Sequence, residues 1–527
     1  MSDDPRTLPR VTYSNINEDF SRVQAHFDGA IANVRTNLLG RERANLIDGR
    51  DVSDGATYVA PCPIDRTVAL GTFFAAGPAD IARAVAAARK AQPDWGRMAP
   101  SRRADLLLKA ASILEERKFD IAAACLFEVG KSRMEALGEV EEAIDLIRYY
   151  SNELVTHDGF ARDLKRAQAS EETHDVFRPY GVFAVIAPFN FPVALAAGMT
   201  STAMLAGNCV VFKPSPMAGL TGRLLADCYR DAGLPDGVFN MVCGDAGTGR
   251  ALVDAGGVDG VAFTGSHAVG MEILRRFGAS GPFARPVLAE MGGKNPTYVT
   301  QSADLARAVS GVSRSAFGLQ GQKCSACSVV FVHDAVRGEF LERLAAATRA
   351  LKIGDPTERP VFMGPVINEA ALRRFGTSVE QARAAGGKII GGEKISGAFF
   401  DNGFYVEPTI VADLPDDHAL HRDELFLPFL TVRRFSSLQE AIARGNAVRY
   451  GLTAGVYAQD ETELNLFLES AEAGVLYANR PSGATTGAWP GFQTFSGWKG
   501  SGTGTKGGLG PWYLPQFMRE QSRTIIR

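Results

Sequence analysis

The chain has 527 residues, of which 46% are hydrophobic and 22% charged, and its 56 basic and 59 acidic side chains leave a formal net charge of −3. That length allows about two to four domains with well-buried cores. The near balance of charge says little for nucleic acid or an anionic membrane surface, which would need a basic face, and neither is expected as a partner.

In chain order, the N-terminal MSDDPRTLPR lacks the apolar run of a signal peptide. Seven cysteines, an odd number in a long chain, do not form a secreted disulfide framework, and a cytoplasmic protein is expected. Residues 1 to about 55 are mixed in texture and read as peripheral. From Pro78 to Leu154 the apolar residues recur at three-four spacing, as in SRRADLLLKAASILEERK, where Ser101 is the expected N-cap. Gly181 to Phe212 carries no charge, yet Pro188, Asn190, Pro192 and Gly207-Asn208 punctuate it. Strand, loop, helix and strand fit that pattern better than one membrane span.

Short apolar runs then begin near Val182, Cys209, Val238, Gly260 and Arg285, with helical stretches such as MAGLTGRLLADCYRDA between them. This alternation predicts βαβ units and a parallel sheet. A second alternating region runs from roughly Ser302 to Ala478. The tail WYLPQFMREQSRTIIR is extended and partly apolar, and is expected to add an edge strand to a partner subunit.

The stretch GLQGQKCSACSVV holds Cys324 and Cys327 three apart. Half a zinc site, a redox disulfide and a single reactive thiol all have this spacing. A zinc site would need more cysteine or histidine nearby, and His418 and His421 are the only close histidine pair. A redox pair would follow the first strand of a small domain, whereas this one follows the helical pattern LARAVSGVSRSAFGLQ. The polar, glycine-rich surroundings of Cys324 suit a nucleophile that other groups must approach. Cys62, Cys125, Cys209, Cys228 and Cys243 read as buried structural cysteines.

Three further phrases precede this loop: APFNFP at 187–192, FTGSHAVG at 263–270 and AEMGGKNP at 289–296. Together with GQKCSACS they resemble the aldehyde dehydrogenase superfamily, from about residue 50 to the end. The resemblance implies an α/β, aldehyde-dehydrogenase-like fold: a Rossmann-like cofactor domain, an α/β catalytic domain and a small β oligomerisation arm. It implies an NAD(P)-binding domain over 1–159 and 181–300, a catalytic domain over 301–488 carrying Cys324, and an arm and tail over 160–180 and 489–527. It also implies a homo-oligomer, dimer or higher, with a small aldehyde as substrate and no metal.

By the same resemblance Cys324 is the nucleophile, Glu290 the base that activates the hydrolytic water, and Asn190 an oxyanion donor beside the Cys324 N–H. A base for water argues against an acyl-CoA-forming relative. Lys213 and Ser215 match family positions at the adenosine ribose, Gly265 and Ser266 lie where a pyrophosphate would sit, and Glu424 matches the nicotinamide ribose. Pro216 stands where a carboxylate often excludes a 2′-phosphate; NAD is expected, with NADP left open. Leu427 stands where the family has glycine.

Within the superfamily GQKCSACS, PFNF and the late SGATTGAWPGFQTFSGWKGSGT are most similar to 1-pyrroline-5-carboxylate dehydrogenases, which oxidise glutamate γ-semialdehyde. Ser325, Gly487 and Ala488 then map to the substrate-carboxylate anchor, with Gly483-Ala484 a rival for the turn, and Phe495 lies in the same pocket. Thr494 and Ser496 depart from the usual Pro-Phe-Gly. The alternatives are a dehydrogenase for another small aliphatic or aromatic aldehyde and, more remotely, a catalytically retired relative that binds or builds.

Overall fold

The structure is a computed structural model and describes residues 5–16, 18, 20–279, 281–481, 488–504 and 506–527. All five apolar runs after Pro179 are strands: Val182–Ile186, Cys209–Lys213, Phe239–Met241, Gly260–Thr264 and Val287–Glu290. They lie parallel, in the spatial order 287, 260, 182, 209, 239 by first residue. The helices Ala194–Leu205, Gly219–Asp231 and Ala246–Asp254 make the crossovers. Covered on both faces, such strands read as continuous apolar runs rather than alternating ones.

The N-terminal residues are not peripheral. Asn45–Ile47 and Arg50–Val52 extend the same sheet antiparallel beyond Phe239–Met241. Buried Asn45 accepts the Cys243 N–H at 2.7 Å and donates to the Phe74 carbonyl at 3.1 Å. A polar residue satisfied this way in a three-residue strand leaves no period to read.

The expected helical region is four helices, Pro78–Arg97, Pro100–Glu116, Lys118–Val129 and Arg133–Thr156. Ser101 is not the N-cap of the second: Ala99 holds that place and Pro100 takes the first helical position, where its missing N–H costs nothing.

The chain changes sheet between Glu290 and Asn295. Asn295–Val299 joins Cys327–His333, Phe429–Phe435, Thr409–Ala412, Thr453–Tyr457 and Val475–Ala478 in a second, parallel sheet. Lys388–Ile390 adds an antiparallel edge. Glu290 and Cys324 therefore stand at the junction of two sheets.

A third sheet pairs Met518–Ile526 and Ala161–Asp163 with the two sides of Glu171–Pro179. The tail expected to reach a partner thus pairs within its own chain, because the full strand from 171 offers it an antiparallel edge. Residues 489–517 do not go with this sheet as one arm; Phe495, Gly508, Leu509 and Tyr513 pack against the cavity described below. Among the described residues no helix is long and apolar enough to cross a membrane.

Candidate active site

The cysteine loop is held in an uncommon conformation. After the helix Leu305–Phe317, Leu319 (φ 50°), Gln320 (φ 56°) and Gly321 (φ 64°) are all left-handed. Such strain persists only where the surroundings impose it. Here the Gln320 side-chain amide donates to the Gly130 and Pro365 carbonyls, and a Cβ on Gly321 would lie 2.1 Å from the Leu427 carbonyl oxygen. Beyond the turn, the Asn295 amide donates to the Cys324 carbonyl at 2.7 Å and to that of Ala326 at 2.9 Å. The phrase AEMGGKNP thus supplies both Glu290 and the clamp on the cysteine loop.

Cys324 is half-buried and faces a cavity, open to solvent, that Glu290, Ser325, Ala488 and Phe495 also line. Cys327 is buried in the core of the second sheet, bonding the Val329 carbonyl, so the pair splits into one cavity thiol and one core thiol. Burial pushes the Cys324 thiol up to about 12, and the carboxyls of Glu290 and Glu424 push the same way; the N–H groups of Ser325 and Cys324 oppose them. Burial also pushes Glu290 up to about 7 against the Gly508 N–H it accepts at 3.1 Å. A neutral Glu290 lacks the like charge that most opposes the thiolate after burial.

Asn190 does not line this cavity. Its amide donates to the Gln322 carbonyl at 3.0 Å, two residues before Cys324, which leaves it a second N–H. The turn carrying it is fixed by the helix Arg133–Thr156. Lys131 donates to the Asn190 carbonyl at 2.7 Å and pairs with Glu139, which accepts the N–H groups of Val193 (2.7 Å) and Ala194 (3.2 Å).

A second pocket, of about 550 Å³, opens at the ends of the first sheet's strands. Ile186, Phe263, Val269 and Ile273 give it apolar walls, and Lys213 and Arg250 give it cations. Lys213 is buried, its ammonium pushed down to about 8 and bonded to the Pro214 carbonyl at 3.0 Å. An apolar slot with a buried donor-rich cation fits a nucleotide. Ser215 accepts the Met217 N–H at 3.3 Å, and Ser266 caps the helix His267–Ile273. Gly265 packs so closely that a Cβ would lie 2.4 Å from the Phe263 ring, and its N–H reaches the Glu290 carbonyl at 3.1 Å. Glu424 accepts the Gly293 N–H at 3.0 Å and is pushed up by burial to about 7; it sits by the catalytic junction rather than in the pocket. Leu427 is buried in an apolar cluster, so that departure from the family is absorbed by packing. Gly487 and its rival Gly483-Ala484 lie outside the described residues.

Sequence reasoning passed over much of the cavity lining, including Tyr13, Glu142, Lys323 and Gly508. Glu135, Glu139 and Glu142 recur along one buried face of the helix Arg133–Thr156. Carboxylates on the face an amphipathic helix should bury were the available signal. Glu142 is pushed up by burial to about 8 although the Tyr13 hydroxyl donates to it at 2.7 Å. Lys323, beside Cys324, is pushed down by burial to about 8.

Two sheets meeting at a cysteine and a buried carboxyl, with a second pocket at the strand ends of the first sheet, are the outline of an NAD(P)-dependent aldehyde oxidiser. The model of the aldehyde dehydrogenase family matches residues 52–522, and the chain belongs to that family, whose members use NAD(P). It is 34% identical over 504 residues to a 1-pyrroline-5-carboxylate dehydrogenase of Geobacillus sp. (strain WCH70), covering 95% of each chain. Its fold is similar to that of the 1-pyrroline-5-carboxylate dehydrogenase from Thermus with bound NAD (TM-score 0.91, 31% identity, 97% of this chain and 98% of that one). It is also similar to a 3,6-anhydro-L-galactose dehydrogenase in complex with NADP (TM-score 0.86, 32% identity, 92% of this chain and 100% of that one).

Proposed function

We propose that the protein oxidises glutamate γ-semialdehyde, the open form of 1-pyrroline-5-carboxylate, to glutamate, with NAD as the preferred cofactor. The observation that carries this reading is the polar content of an otherwise apolar cavity. Phe191, Leu146, Leu195, Met199 and Leu509 surround the carboxyl of Glu142, the hydroxyl of Ser325 and the ammonium of Lys323. A substrate carrying both an ammonium and a carboxylate has a partner for each. The relatives named for this substrate support the same reading.

In this mechanism Cys324 Sγ, its proton released to solvent, attacks the aldehyde carbon as the thiolate. The charge that grows on the carbonyl oxygen is met by the Cys324 N–H and the Asn190 amide. Lys213, Ser215, Gly265, Ser266 and Glu424 hold the cofactor, which when bound supplies the hydride acceptor. Glu290, once deprotonated, takes a proton from the water that hydrolyses the Cys324 thioester, releasing the acid and the thiol. Residues 1–159 and 181–300 act as the cofactor domain and 301–488 as the catalytic domain. The outer edge of Met518–Ile526, with exposed Ile525 and Ile526, supports assembly into a homo-oligomer.

The apolar walls favour a plain aliphatic or aromatic aldehyde as the second reading. Relative kcat/KM separates the two. Unpaired buried donors cost about 1–3 kcal/mol each, so 1-pyrroline-5-carboxylate should exceed pentanal by at least roughly 10²-fold, and Ser325→Ala should narrow the gap. Equal efficiencies would defeat the glutamate assignment and leave the dehydrogenase standing.

A further inference from the structure

One wall of the Cys324 cavity comes from residues that precede the 52–522 region matched by the family model. The segment around Tyr13 is firmly docked. Leu8, Val11 and Ile16 are buried, the Thr12 N–H closes on the Asn15 side chain at 2.7 Å, and the Asn15 amide returns to the Arg10 carbonyl at 3.0 Å. Arg10 pairs with Glu141 at 3.0 Å and with Asp145 at 2.9 Å on the helix Arg133–Thr156.

Tyr13 itself is only 7% exposed. Its ring meets Trp489 edge-on at 5.5 Å and Phe191 at 6.3 Å, and its hydroxyl donates to Glu142 at 2.7 Å. Two edge-on aromatic contacts and a buried hydrogen bond hold one rotamer. Tyr13, Phe191 and Lys323 line the Cys324 cavity and also a second, much smaller void, about large enough for one water, whose other walls include Lys131, Glu135 and Arg314. A ring that lines two voids stands between them.

We propose that Tyr13 is a specificity-determining residue: its ring partitions the aldehyde cavity from this cation-rich void and so limits the length of substrate accepted. Replacing the ring by a methyl group joins the two spaces. The added space, which includes the volume of the ring itself, suits a longer chain ending in a carboxylate, because Lys323 and Arg314 line it, while Lys131 is held by Glu139. The kinetic readout rests on the dehydrogenase reading; the partition itself does not.

The test compares 8-oxooctanoate with pentanal in wild type, Tyr13→Ala, Tyr13→Leu and Tyr13→Phe. Tyr13→Ala should raise the ratio of kcat/KM values at least tenfold and Tyr13→Leu by less, while Tyr13→Phe, which keeps the ring, should hold it within twofold. Calorimetric titration with suberate, the matching dicarboxylate, reads the same space without turnover and should show tighter binding in Tyr13→Ala. If that variant does not fold, Tyr13→Leu decides by the same two readouts. An unchanged ratio and unchanged suberate affinity in the folded variants would overturn the partition. A wild type that oxidises no aldehyde would instead defeat the dehydrogenase reading, and the suberate titration would still decide the role of Tyr13.

Discussion

Glu290 Oε1 accepts the backbone N–H of Gly508 at 3.1 Å, tying the last residue of a first-sheet strand to a loop 218 residues further on. The bond favours the carboxylate, burial disfavours it, and burial wins, leaving the group at about 7. A base works only when ionised, so turnover limited by deacylation should rise with pH through about 7 and level off above it. A kcat–pH profile checks this. A flat profile between roughly pH 6 and 8 would show that Glu290 is not the base, given its place near 7.

Glu290→Gln keeps the shape of the site and removes the proton acceptor. Rapid mixing with saturating aldehyde and NAD should give a burst of NADH followed by a slow steady rate. The like charge of Glu290 opposes the Cys324 thiolate, so its removal should spare the burst; loss of the burst as well would show that the thiol depends on this carboxyl.

Cys324→Ala should abolish aldehyde oxidation, since the other thiol of the pair is in the core of the second sheet. Cys327→Ser places a hydroxyl in that core and should cost stability, on the order of 1–3 kcal/mol, more than chemistry. Activity assays and urea titration of both variants check the division. A dead Cys327→Ser enzyme that remains folded would reverse the assignment.

Asn190→Ala should lower kcat by roughly 10²-fold, the usual cost of one oxyanion donor. KM should move little, because an oxyanion donor acts on charge that develops in the transition state rather than on the bound aldehyde. A change confined to KM would make Asn190 a binding group instead.

Gly321→Ala should be among the most damaging single-methyl changes in the chain. The position has φ 64° and the new Cβ would press on the Leu427 carbonyl oxygen, which is backbone and has no rotamer to yield. A loss of about 1–3 kcal/mol is expected from such strain, together with reduced activity as the loop shifts Cys324. Chemical denaturation and kcat measured on the same sample test both.

The five parallel strands and the four-helix block were legible because burial on both faces, or along one helical stripe, writes a local period into the residues. That the phrases around Cys324 and Glu290 meet at one corner was legible, and Asn295, five residues after Glu290, clamps the cysteine loop there. Other features had no local signature. Asn45 is a buried polar residue in a three-residue strand, satisfied by groups far along the chain. The tail Met518–Ile526 has a strand's texture, but nothing in it says that its partner is Glu171–Pro179 of the same chain. Tyr13 meets Glu142 across 129 residues, and Gly508 meets Glu290 across 218. Periodicity records how a segment is buried, whereas pairing depends on which surfaces the completed fold brings within hydrogen-bond range. The residue types at this corner were therefore written in the sequence, and the shape and electrostatics of its cavity were decided only when the two sheets, the N-terminal segment and the C-terminal loop packed together.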